Sequence, residues 1–222
     1  MKDLFEFERP HQRFAVVGHP VAHSKSPQIH RAFASQCGLK IEYEAIQLDR
    51  GGFVQGIRNL QAGGLKGLNV TLPFKEEARA LSDDLSDRAR IAAAVNTFVF
   101  ADDGAIFGDN TDGVGLISDI QVNMGIQLEG RHALLVGAGG AARGVVQPLL
   151  ETGLAALVIT NRTVERARKL VADFQRIGSV QAMAPGQVEG QRFDIVINAT
   201  SAGLSGQVPG LPETIFLSLI HI

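Results

Sequence analysis

Short apolar runs alternate with helical periodicity along almost the whole chain. Phe14-Ala15-Val16-Val17-Gly18 predicts a strand running into a loop, and Pro27 opens a helix that reaches about Cys37, with Gly38 as its stop. Ile41 to Leu48 predicts a second strand. Phe53, Ile57 and Leu60 share a helical face, Gly63-Gly64 ends that helix, and Leu68-Asn69-Val70 predicts a short buried strand. The order is βαβαβ, with crossovers long enough to make the strands parallel neighbours. Pro73 then precedes a helix rich in Glu, Ala and Leu, and a further helical stretch covers residues 86–92. Thr97 to Phe100 and Ala105 to Phe107 flank Asp102-Asp103-Gly104, which predicts a hairpin adding an antiparallel edge to the sheet.

A helix from Gly113 to Asn123, followed by Gly125 and Gly130, predicts a connector between two domains. The pattern then restarts. Ala133 to Val136 predicts a strand, a glycine-rich turn and a helix to about Leu150 follow, and Ala155 to Thr160 predicts the next strand. Val164, Ala167, Leu170, Val171 and Phe174 line a helix, Val180 to Ala182 predicts a weak strand and Phe193 to Asn198 a strong one. The expected fold is α/β, with a mostly parallel substrate domain over residues 1–112 and a Rossmann-type half over 113–222. The apolar stretch Ile215-Phe216-Leu217-Ser218-Leu219-Ile220-His221-Ile222 has nothing after it to cover it, so the C-terminus is expected to be incomplete.

Composition narrows the classes. A chain of 222 residues with 45% hydrophobic and 20% charged residues is globular, and a net charge of −2 supplies no field for a nucleic acid backbone. No apolar run approaches the roughly 20 residues of a membrane helix, and the acidic N-terminus has no secretory h-region. One cysteine, Cys37, forms no internal disulfide. These features predict a cytoplasmic protein. No spacing resembles a metal cage, a P-loop or a serine-hydrolase elbow, so no metal is expected.

Gly137, Gly139 and Ala142 fit G-x-G-x-x-A between a predicted strand and a predicted helix. Gly137 permits the tight turn, Gly139 leaves room for a pyrophosphate, and free N–H groups of the helix receive its charge. After Thr160, where an NAD-binding chain often carries an acid, this one has Asn161-Arg162-Thr163 with Arg166 a turn later. Guanidinium groups and a hydroxyl bind a 2′-phosphate that a carboxylate would repel, so NADP(H) is expected over NAD(H).

The first half carries polar groups where strands end: His23-Ser24-Lys25-Ser26, then Asn69-Val70-Thr71 with Lys75, then Asn96-Thr97, and Gly108 to Gly113 at the junction. Hydroxyls, amides, an ammonium and a carboxylate suit a small polyhydroxylated anion. Lys75 and Asp112 are the acid–base candidates, although Lys75 also fits a surface helix and Asp112 a helix cap.

Taken together, seven stretches resemble the shikimate dehydrogenase family: GHPVAHSKSPQIH from Gly18, GLNVTLPFKEEA from Gly67, AAVNT from Ala93, GDNTDGVG from Gly108, VGAGGAARG from Val136, TNRT from Thr160 and INATSAG from Ile197. They run in family order from Arg13 onward. The resemblance implies NADP-dependent, reversible reduction of 3-dehydroshikimate to shikimate, on the route to chorismate and the aromatic amino acids. It implies Lys75 and Asp112 as the catalytic pair, Ser24 and Ser26 on the substrate carboxylate, and Asn69, Thr71, Lys75, Asn96 and Asp112 around the rest of the substrate. It further implies that the turn Gly137, Ala138, Gly139, Gly140, Ala141, Ala142 and Arg143 holds the pyrophosphate. Asn161, Arg162, Thr163 and Arg166 then take the adenosine phosphate, and Asn198, Ala199 and Thr200 lie toward the nicotinamide. Family members usually continue past this point, with a late strand, a substrate-contacting Gln and returning helices. Two alternatives stay open: a quinate/shikimate dehydrogenase of broader specificity, and a nucleotide-binding fragment with impaired catalysis. The expected partner is the small-molecule substrate, with no nucleic acid or membrane and with a homodimer left open.

Overall fold

The computed structural model describes residues 11–200, 210–212, 215 and 220–221. By internal contacts these form two compact units. One groups the described residues up to Ser86 with Val95–Asp109; the other groups Asp87–Ala94 with those from Asn110 onward.

In the first unit the chain runs β1 (Gln12–Gly18), α1 (Ser26–Gln36), β2 (Ile41–Gln47), α2 (Phe53–Ala62), β3 (Leu65–Val70), α3 (Lys75–Leu81), β4 (Asp84–Leu85), β5 (Thr97–Phe100) and β6 (Ile106–Asp109). The sheet order is β2-β1-β3-β5-β6-β4. β1 pairs in parallel with β2 and β3, and the hairpin β5–β6 joins β3 antiparallel. The expected α/β sheet is present, with one difference: the hairpin is not the edge, because β4 pairs in parallel with β6 outside it. Two residues, Asp84 and Leu85, are too few to show a hydrophobic period.

Alternation along the strands divides the apolar residues between the two faces. Val16, Val21 and Tyr43 pack with Phe14 and Ile41 on one side, while Ala15, Val17, Leu68 and Phe98 are buried in the other. The register sets Val16 beside Asn69 and Asn69 beside Thr97, so polar side chains line up across strands at one end of the sheet.

The second unit holds α4 (Asp87–Ala92), α5 (Asp112–Ser118), β7 (His132–Val136), α6 (Gly140–Glu151), β8 (Ala156–Thr160), α7 (Val164–Phe174), β9 (Val180–Met183), β10 (Ile195–Asn198) and β11 (Ile220–His221). The helix expected from Gly113 starts at Asp112 and passes after Ser118 into a π-helical turn, Asp119–Asn123, where the Met124 N–H donates to the Asp119 carbonyl. All strands are parallel, in the order β11-β10-β7-β8-β9. Ala133, Leu135, Leu157 and Ile159 pack with Val146, Leu149, Leu170 and Phe174 on one face. Leu134, Val136, Val158 and Val196 pack with Val188, Phe193 and Ile215 on the other. Burial on both faces is what a parallel sheet requires. Ile215, expected to lack cover, is buried in that second layer, and Ile220 and His221 pair with β10. Phe216, Leu217, Leu219 and Ile222 lie outside the described residues.

Candidate active site

In the second unit the strand order reverses direction at β7 and β10, and the loops after these strands meet at that switch point. Gly137 follows β7 with φ +116, and its N–H donates to the Thr160 carbonyl at 2.8 Å. A Cβ there would stand 2.9 Å from the Ala199 carbonyl oxygen, so only glycine fits. The Ala199 N–H in turn donates to the Val136 carbonyl at 2.8 Å, and Asn198 Oδ1 accepts from the Thr200 N–H and hydroxyl at 3.0 and 2.7 Å. Residues expected at opposite ends of the dinucleotide segment, Gly137 and Asn198 to Thr200, are thus neighbours.

Gly139 is the N-cap of α6, no side chain caps the helix, and a Cβ on Gly139 would meet open space. Ala142 is fully buried, which lets α6 lie close to the sheet. Uncapped N–H groups above an open glycine form a cradle for a pyrophosphate. Asn161, Arg162 and Thr163 follow β8, with Asn161 Nδ2 bonded to the Thr163 carbonyl at 2.9 Å. Arg162 and Arg166 are exposed, and among the described residues neither guanidinium has an ion-pair partner. Arg143 differs: its Nη2 donates to Asp173 Oδ2 at 2.5 Å and its Nε to the Ala92 carbonyl at 2.9 Å.

The first unit assembles the other residues from strand ends. The Ser24 hydroxyl donates to Ser26 Oγ, and the Ser26 N–H to Ser24 Oγ, both at 3.2 Å. Ser26 and Pro27 open α1, which turns both hydroxyls toward a helix N-terminus. The Tyr43 hydroxyl donates to Asn69 Oδ1 at 2.5 Å, Asn69 Nδ2 to Thr97 Oγ1 at 3.1 Å, and the Thr97 hydroxyl to Asn96 Oδ1 at 2.8 Å. His30 stacks on the Tyr43 ring with centroids 4.2 Å apart and holds the Ser26 carbonyl through Nδ1 at 2.9 Å. Burial pushes the Tyr43 phenol well above its usual 10, a smaller opposing effect coming from its hydrogen bond with Ser26. Tyr43 and Thr97 complete a chain from Asn69 to Asn96; the sequence placed Thr97 in the polar constellation without a role of its own and did not point to Tyr43. A buried tyrosine inside β2, outside every quoted motif, gives no local signal.

Thr71 lies in the turn after β3, its carbonyl accepting from the Phe74 N–H at 3.1 Å. Phe74, fully buried and stacked on Phe53 with centroids 4.7 Å apart, fixes the start of α3. Lys75 follows, half-buried, and its carbonyl accepts from the Val95 N–H at 2.8 Å. Asp112 belongs to the second unit, as the first residue of α5, where its N–H donates to Asn110 Oδ1 at 3.1 Å. Asn110 is 2% exposed and donates through Nδ2 to the Ala94 carbonyl at 3.0 Å, so a buried amide sets the start of that helix. Among the described residues no group of His, Cys, Asp and Glu is arranged to hold a metal ion.

A Rossmann-type half with a bare glycine turn, in one chain with an α/β half lined by hydroxyls, amides and an ammonium, defines a nicotinamide-dependent oxidoreductase class. The family model for the shikimate dehydrogenase substrate-binding domain matches residues 16–98, and that for shikimate/quinate 5-dehydrogenase matches residues 120–205. Shikimate dehydrogenase (NADP(+)) of Nitrosospira multiformis is 54% identical over 203 residues, 91% of this chain and 74% of that one. The chain belongs to the shikimate dehydrogenase family. Among solved structures, the Ael1 enzyme of Pseudomonas putida aligns with TM-score 0.84 and 40% identity, over 95% of this chain and 77% of the other. Shikimate 5-dehydrogenase of Thermus thermophilus, in complex with NADP(H) and shikimate, aligns with TM-score 0.80 and 36% identity over 92% and 74%.

Proposed function

We propose that the protein catalyses the NADP-dependent, reversible reduction of 3-dehydroshikimate to shikimate. The observation that carries the reading is the continuous polar chain of Tyr43, Asn69, Thr97 and Asn96, set beside the Ser24–Ser26 pair at the ends of parallel strands. We assign substrate binding and catalysis to residues 1–112 and NADP(H) binding to residues 113–222. NADP(H), when bound, supplies the hydride in one direction and accepts it in the other.

The chain's own residues divide the remaining work. The Ser24 and Ser26 hydroxyls hold the substrate carboxylate, the α1 N-terminus favouring its negative charge. Asn69, Thr71 and Asn96 orient the ring hydroxyls, and their mutual bonds hold the amides ready before substrate arrives. The Lys75 ammonium donates to the C3 oxygen, stabilising its negative charge as the carbonyl π pair moves onto it and assisting delivery of the proton that makes the hydroxyl. Asp112 accepts from a substrate hydroxyl and orients it. Gly137, Ala138, Gly139, Gly140, Ala141 and Ala142 form the cradle of the pyrophosphate. Asn161, Arg162, Thr163 and Arg166 hold the 2′-phosphate, and Asn198, Ala199 and Thr200 line the approach to the nicotinamide.

No helix among the described residues is long and apolar enough to cross a membrane. The lone cysteine, exposed and free, agrees with our placement of the enzyme in the cytoplasm. A homodimer is the assembly we carry forward: Phe33 and Val99 are 56% and 51% exposed, and sedimentation equilibrium tests it. Initial rates of NADPH formation with shikimate and NADP⁺ test the activity itself, with quinate as a second substrate. Absence of shikimate oxidation above the enzyme-free rate overturns the reading.

A further inference from the structure

Residues Ala92 to Asn96 carry the chain from the second unit back into the first. Ala93, at their centre, has φ +50 and is the only non-glycine residue with positive φ among those described. Side chains disfavour that conformation, so the residue keeps it only where flanking attachments enforce it. Hydrogen bonds attach the segment on both sides of Ala93. Arg143 Nε donates to the Ala92 carbonyl at 2.9 Å and Asn110 Nδ2 to the Ala94 carbonyl at 3.0 Å. The Val95 N–H donates to the Lys75 carbonyl at 2.8 Å and the Asn96 N–H to the Asp109 carbonyl at 2.9 Å. Each bond is internal to its own unit.

Arg143 stands in the glycine-rich segment, where a guanidinium would be expected to serve a phosphate. Two of its donors are engaged elsewhere, Nε by a backbone carbonyl and Nη2 by Asp173, and the side chain is only 16% exposed. Only Ala93 and Ala94 separate Ala92 from Val95, so a change in the Ala93 backbone reaches Val95 within two residues. If Arg143 lets go of the Ala92 carbonyl, Ala93 is free to return to negative φ. That change redirects the chain immediately before the N–H that holds Lys75.

We propose that Arg143 is a positioning residue for the reaction. By holding the Ala92 carbonyl it keeps Ala93 in its disfavoured conformation, and through the short segment that follows it sets the Lys75 backbone and the Asn96 amide. The proposal rests on the reading of Lys75 and Asn96 as substrate-site residues.

Three variants test it, each assayed for shikimate turnover, NADP⁺ affinity and thermal stability, with residue-resolved amide exchange at Val95. Arg143→Met keeps the apolar stem and removes both bonds; kcat should fall about 10–100-fold, the range expected for a small misplacement of a reacting group. Its NADP⁺ Kd should stay within about twofold, and Val95 exchange should quicken by about tenfold or more. Asp173→Asn removes only the ion pair and should leave kcat and Val95 exchange near wild type. Ala93→Gly accepts the positive φ without cost, so alone it should leave kcat and the melting temperature near wild type, and added to Arg143→Met it should restore part of the lost kcat. A rise in NADP⁺ Kd with kcat intact at saturation would make Arg143 a phosphate ligand and overturn the proposal. Lowered stability with unchanged kcat, or equal effects of Asp173→Asn and Arg143→Met, would overturn it as well. If the wild type does not oxidise shikimate, the functional reading fails by itself. The exchange measurement then decides the Arg143 attachment, and unchanged Val95 protection in Arg143→Met refutes it.

Discussion

Tyr43 is the sole tyrosine of a chain that has no tryptophan, so its ionisation can be followed without interference. Replacing it by phenylalanine keeps the buried ring and its stacking on His30 and removes only the hydroxyl that donates to Asn69 Oδ1 at 2.5 Å. Loss of a partner from a part-buried acceptor costs about 1–3 kcal/mol, and Tyr43→Phe should lower the unfolding free energy at neutral pH by that amount. The pH dependence adds an independent check. Burial raises the folded pKa of Tyr43, whereas an unfolded tyrosine ionises near pH 10. Above pH 10 the folded state therefore binds more protons than the unfolded one. The wild type should lose about 1.4 kcal/mol of stability for each further pH unit until the folded phenol itself ionises, relative to a Tyr43→Phe variant that has no such slope. Below pH 10 the difference between the two should be constant. Urea unfolding followed by circular dichroism at several alkaline pH values, beside a near-ultraviolet titration of tyrosinate in the native protein, measures both. A native midpoint near 10, or a Phe variant as stable as the wild type, would refute the burial and hydrogen-bond argument. Because Asn69 would lose its anchor, the variant should also raise KM for shikimate more than it lowers kcat.

On the proposed role of its exposed guanidinium at the 2′-phosphate, Arg162→Ala should weaken NADP⁺ by about 1.5–3 kcal/mol in titration calorimetry and NAD⁺ far less; equal losses would dismiss that role. Lys75→Ala should cut kcat by about 100-fold or more, whereas Ser24→Ala should act mainly on KM, because a hydroxyl proposed to hold an unreacting carboxylate contributes equally in ground and transition states. Gly113→Ala should destabilise the protein by about 1–3 kcal/mol despite the better helix propensity of alanine, as the added Cβ runs into the Gly144 carbonyl and Pro148 ring where α5 crosses α6. Thermal denaturation of that variant checks which of the two effects wins.

Features that depend on neighbours in the chain were legible from the sequence. The glycine turn after β7 is one strand, one tight turn and one helix start, and its chemistry is carried by local φ angles and free N–H groups. The Ser24–Ser26 pair and the Arg162–Arg166 spacing are equally local. The alternating period gave the strands and helices of both halves, because burial of one face imposes the period wherever an element is long enough to show it. β4 escaped since two residues carry no period, and the π-helical turn at Asp119–Asn123 escaped since it shares its composition with an ordinary helix. What only the tertiary structure decided are the pairings between distant positions. Tyr43 reaches Asn69, and Asn69 reaches Thr97, only because β2, β1, β3 and β5 lie side by side in one register. The guanidinium of Arg143 is committed to Ala92, 51 residues away, rather than left free in the glycine turn. The positive φ of Ala93 falls just past the end of α4, where glycine is the usual residue, and the bonds from Arg143 to Ala92 and from Asn110 to Ala94 that flank it come from far along the chain. A hydrogen bond needs a distance and an angle, and for residues this far apart those are properties of the packed chain.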